Sequence, residues 1–104
     1  MSNHNHTIKI FVDDAGNISY DFPSLRLKRG DTIEWVCTNE YTFTVHMGWG
    51  TPLGKGRSQT SQKGIIRETV RENALNGRYK YFVAVYDKKR DKIWTDDPEL
   101  IIEP

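Results

Sequence analysis

Cys37, His46 and Met47 supply a thiol, an imidazole and a thioether, the soft and borderline donors that copper favours. Alternation along their two segments turns Cys37 inward and sets His46 on the opposite side from Met47, so the three do not converge by parity. The ordinary reading makes Cys37 a small buried hydrophobe and His46 a surface or strand-end residue. A metal or redox site built from Cys37, His46 and Met47 is the competing one. A second metal chemistry lies at the amino end. Removal of Met1 would leave Ser2-Asn3-His4, whose amine, amides and imidazole can wrap Cu(II) or Ni(II) in a square plane. The plainer alternative is a polar tail in which His4 and His6 fall together by chance.

The stretch from Gly48 to Ser58 is rich in glycine and carries Trp49, Lys55 and Arg57. It is not a phosphate loop: Gly50 and Gly54 enclose three residues instead of four, and Lys55 is followed by Gly56 instead of Ser or Thr. Between Tyr41 and Arg67 there is no acidic residue, so Lys55, Arg57, Lys63 and Arg67 make this segment basic. Trp49 offers a stacking face and the cations offer attraction, which suits an anionic or sugar ligand. An ordinary solvated loop with Trp49 folded back is the alternative. No His-Glu-x-x-His or Gly-x-Ser-x-Gly occurs, and no base stands beside Ser58 or Cys37 by spacing. Asp96-Asp97 before Pro98 reads as a turn. An enzyme is not expected, and neither is a cofactor.

These residues must be positioned by strands. Val, Ile, Thr, Phe, Tyr and Trp contribute 36 of 104 residues, Leu and Ala only 8. Apolar and polar residues alternate at 7–12, 18–22, 25–27, 33–37, 41–47, 78–86 and 99–103, with Gly, Pro, Asn and Asp between them. In 78–86 both parities are apolar, which predicts a central strand covered on both faces. Residues 48–64 read as a long loop and 87–92 as a charged one. Seven or eight strands without a helical pattern predict an all-β sandwich, with residues 1–6 as a flexible tail and 7–104 as one domain.

Composition narrows the function classes. Fifteen Lys and Arg against fourteen Asp and Glu leave a net charge of +1, which disfavours nucleic acid as a partner. The longest apolar run, Tyr81 to Tyr86, is far shorter than the roughly 20 residues of a spanning helix, so no membrane role is expected. One cysteine excludes an internal disulfide and any multi-cysteine metal site. The first residues lack a secretory pattern, which points to a cytoplasmic location.

Three segments in order resemble the cupredoxin family of small copper proteins. They are Phe22-Pro23 leading to Gly30-Asp31-Thr32-Ile33-Glu34-Trp35, the strand 41–47, and Gly77-Arg78-Tyr79-Lys80-Tyr81-Phe82. The resemblance implies a Greek-key sandwich. It also implies a type 1 copper site, with His near Phe43, Cys near Val83, His near Tyr86 and Met between 84 and 104, where none stands. Hydrophobes at those places would fill the pole of the sandwich instead. The topology would further gather the loops 46–64 and 87–97, and with them Trp49, Tyr86 and Trp94, at one end. The resulting expectation is a non-enzymatic module without a blue-copper centre. It would bind an unknown protein or a small ligand through Trp49, Lys55, Arg57, Tyr86 and Trp94. A homo-oligomer paired through an uncovered face or edge is the structural alternative.

Overall fold

A computed structural model describes residues 4–39, 41–47, 51–54, 58–61 and 63–104. Eleven strands are present among them: β1 (Asn5–Val12), β2 (Ile18–Tyr20), β3 (Ser24–Lys28), β4 (Thr32–Cys37), β5 (Thr42–His46), β6 (Ser58–Thr60), β7 (Ile65–Thr69), β8 (Gly77–Lys80), β9 (Phe82–Asp87), β10 (Lys92–Asp96) and β11 (Glu99–Glu103). They form three sheets, ordered β2-β1-β4-β7, β10-β9-β5-β6 and β3-β11-β8. The β1–β4 and β3–β11 pairs are parallel and the remaining pairs antiparallel.

Strict alternation decides which side of each strand is inside. In β4, Ile33, Trp35 and Cys37 are buried while Thr32, Glu34 and Val36 are not. Ile8 and Ile10 of β1, Phe43 and Val45 of β5, Val83 and Val85 of β9, and Leu100 and Ile102 of β11 join them in one core. Trp35 is fully buried, and its Nε1–H donates to the Tyr81 hydroxyl at 3.0 Å, so the indole loses its water without losing a partner.

The strand count exceeds the expected seven or eight in part because one long hairpin bends. Periodicity runs unbroken from Tyr79 to Val85, yet the chain leaves the β3-β11-β8 sheet after Lys80 and enters the β10-β9-β5-β6 sheet at Phe82. Its partner does the same between Asp96 and Glu99. The corner is joined where the Tyr81 amide donates to the Pro98 carbonyl at 3.0 Å. β6 lies within the stretch expected to be a loop.

β1 begins at Asn5, inside the stretch expected to be a free tail, and pairs with β4 from its first residue. Asp31, almost wholly buried, fixes this end. Its carboxylate accepts from the amides of His4 and Lys28 and meets His6 Nε2 at 3.0 Å. Burial alone would raise the Asp31 carboxyl, but those amides and the imidazole outweigh it and hold the group below its usual value. At the other end of β1, Asp13 closes a turn by accepting from Ala15 and Asn17, with Gly16 at φ +84° beneath the Trp94 ring.

Candidate functional site

The residues named from sequence fall in different places. Trp49, Lys55 and Arg57 lie outside the described residues. Tyr86 and Trp94 are on adjacent strands, but Tyr86 pairs with Ile93 while Trp94 pairs with Val85. That one-residue offset puts them on opposite faces of the sheet. Trp94 faces inward over Gly16, where an added Cβ would stand 2.1 Å from the ring, and Lys92 Nζ sits 5.6 Å from its centroid. Tyr86 faces outward, 37% exposed, and its hydroxyl donates to Asp91 Oδ1 at 3.0 Å. That hydrogen bond and the charge of Asp91 raise the Tyr86 hydroxyl above its usual pKa.

Among the described residues the two loops come together only in part. Thr42 pairs with Tyr86 and His46 with Phe82. The 87–92 hairpin therefore caps the start of β5, while His46 stands at its far end, roughly 13 Å away along a five-residue strand. Only the return toward Asp96, which pairs with Val83, approaches that far end.

At the hairpin end a cleft of about 780 Å³ opens between Asn39, Tyr41, Thr42, Tyr86, Asp87, Lys88 and Lys89. Its wall is held rigidly. Asp87, buried, accepts from the amides of Lys89 and Arg90, and Arg90 Nε stands 3.6 Å from the same carboxylate. Asp91 completes the turn at φ 52°, a conformation that Asp tolerates better than most residues. Neither Lys88 nor Lys89 has an ion-pair partner among the described residues, whereas Arg90 reaches both Asp14 and Asp87. Glu40 is outside the described residues. A second groove, about 630 Å³ over β1, β4 and β7, differs in kind because the Arg67–Glu34 ion pair lies in its lining. The cleft at Tyr86 was legible through that residue and the 87–97 loop; its Tyr41 and Thr42 wall comes from the register of β5 against β9.

The copper chemistry implied by the family pattern does not fit the residues present. Phe43 and Val83 are buried hydrophobes, while Tyr86, expected to join them at the pole, points away from the core. Cys37 and His46 belong to different sheets. Cys37 is 2% exposed, and burial raises its thiol above the usual value, so the thiolate a metal needs is disfavoured. Met47 is buried and His46 exposed on the other face. Among the described residues no three of His, Cys, Asp and Glu come together as a metal cage. Ser2 and Asn3 lie outside those residues, and the His4 amide, which a terminal metal wrap would need, already donates to Asp31.

No family model and no curated protein matches the sequence. Solved structures do match the fold. A substituted amicyanin in its reduced Cu(I) form at pH 4 superposes with a TM-score of 0.54 at 19% identity, over 93% of this chain and 82% of that one. A pseudoazurin from Sinorhizobium gives 0.56 at 15% identity, over 97% and 75%. The scaffold is thus a cupredoxin-like β-sandwich.

Proposed function

We propose that the chain is a non-enzymatic binding module on this cupredoxin-like scaffold, taking a small anionic, ring-bearing ligand in the cleft beside Tyr86. The observation that carries the reading is the pairing, in one rigid cleft, of two tyrosine rings with two lysines that lack ion-pair partners among the described residues. Tyr41 and Tyr86 supply flat apolar walls, Thr42 and Asn39 supply hydrogen bonds, and Lys88 and Lys89 supply the attraction that orders an anion between them. The cleft stands on the 87–97 half of the loops first named for binding.

Phenyl phosphate, with glucose as the neutral comparison, is a suitable probe in an NMR titration. Phenyl phosphate is expected to shift the amide signals of Tyr41, Thr42, Tyr86, Lys88 and Lys89 with millimolar affinity. A variant carrying Lys88→Glu and Lys89→Glu should weaken that response at least tenfold. Stronger shifts with glucose would move the reading to neutral sugars, and no shift with either probe would end it.

A further inference from the structure

We infer that the outer face of the β10-β9-β5-β6 sheet is an interface with the same face of a second copy of this chain. Among the residues that the register brings to that face are Ile93 and Thr95 from β10, Phe82, Ala84 and Tyr86 from β9, Thr42, Thr44 and His46 from β5, and Thr60 from β6. None is Asp, Glu, Lys or Arg, in a chain whose residues are 28% charged. Ile93 is 66% and Phe82 49% exposed, and with Tyr86 they make three of the six large hydrophobics left in solvent among the described residues. Among the described residues no other layer covers them.

The absence of charge selects the occupant. A foreign partner is commonly picked out by complementary charge, and the strand positions of this face display none to complement, the charges of Lys88, Lys89 and Asp91 standing at its hairpin rim beside Tyr86. A copy related by a two-fold axis meets it without placing any like charges opposite each other. With that axis running across the strands, each strand lies against its own counterpart with the ends exchanged. Phe82 of either copy then meets Tyr86 of the other, and His46 meets Thr42. The small Ala84 and Thr44, paired at the centre, leave room for the larger side chains around them. Sheets stacked this way bury their side chains between layers about 10 Å apart.

Four strands about 4.8 Å apart and about five residues long make a patch of roughly 20 by 17 Å. Two such patches bury about 700 Å² as flat area and about 1,000 Å² once corrugated, the range of weak, transient interfaces, which predicts association in the high micromolar range. The inference is independent of the ligand reading, although Tyr86 and Thr42 border both surfaces.

Sedimentation equilibrium between about 5 μM and 1 mM tests it. The mass is expected to rise from one chain to two and stop there. Phe82→Glu and, separately, Thr44→Lys should weaken association at least tenfold, while Lys9→Glu, on an outer face elsewhere, should leave it unchanged. Circular dichroism on the same samples checks that the variants are folded. A constant single-chain mass up to 1 mM would overturn the proposal. So would growth beyond two chains, or folded Phe82→Glu and Thr44→Lys proteins that associate as the parent does.

Discussion

The outer faces of the three sheets differ in how they meet water. On β3-β11-β8, Arg26 pairs with Glu103 and Arg78 with Glu99, each at 3.0 Å, and Ser24 adds a hydrogen bond to Glu99. On β2-β1-β4-β7, Lys9, Glu34 and Arg67 share the outside, with Arg67 and Glu34 in contact. On β10-β9-β5-β6 the equivalent positions are Thr, His, Ala, Phe, Tyr and Ile. Charged outer faces keep a sheet soluble and separate from its neighbours. The sheet without charge lacks that protection, so its outer side chains are better accounted for by contact than by folding. Substitutions can break or sharpen this contrast, because changes on inner contacts should cost stability while changes on the uncharged face should cost association.

The largest loss is expected at Gly16. Its φ of +84° suits glycine, and an added Cβ would stand 2.1 Å from Trp94. Gly16→Val should therefore destabilise by about 3 kcal/mol or more, read by urea unfolding. Tyr81→Phe should follow at about 1–3 kcal/mol, because it leaves the fully buried Trp35 N–H without its acceptor. Trp35 fluorescence offers a second readout of that change.

Asp31 is next. Its carboxyl is lower in the folded chain than its ordinary value of 3.8, so its contribution is complete above that value and is lost as pH falls through the lower folded value. Asp31→Asn should cost about 1–2 kcal/mol at neutral pH, since the amide presents N–H toward donors, and should flatten the acid limb of a stability-versus-pH curve. A variant with an unchanged acid limb would show that the anchor of β1 lies elsewhere. The smallest effect belongs to the exposed ion pairs. Arg26→Ala should change stability by no more than about 0.5 kcal/mol, with an Arg26 side chain that is 63% exposed. Phe82→Glu should be equally mild for the isolated chain, which separates its role in association from any role in the core.

Much of the scaffold was legible because burial on one side writes itself into alternation. Thr32 to Cys37 and Glu99 to Glu103 show it residue by residue, and the family segments added the order of the strands. Tyr81 shows where legibility stops. Its side chain keeps the inward parity of Val83 and Val85, so nothing local reveals that the chain changes sheets there; Pro98, distant in sequence, makes the corner. Ser58-Gln59-Thr60 hid a strand for the opposite reason, having no apolar residue to alternate. The doubly apolar run from Phe82 to Tyr86 was expected to be covered on both sides, but one side is open, and the uncharged outer face is what that run was signalling. The same signal stood in Thr42, Thr44 and His46, whose outward positions carry no charge, yet only register joins the two segments. The cleft beside Tyr86 was half legible for the same reason, since Tyr41 and Lys88 line it from the ends of strands that sequence order does not place side by side.

The contrast between the faces is tested most directly by following assigned NMR signals on dilution from about 1 mM to 10 μM. Signals of Thr42, Thr44, Phe82, Ala84, Tyr86 and Ile93 should move together along one binding curve, while those of Lys9, Arg26, Glu34 and Arg67 stay fixed. Signals that move on the charged faces while the β5 and β9 outer residues remain still would contradict the account.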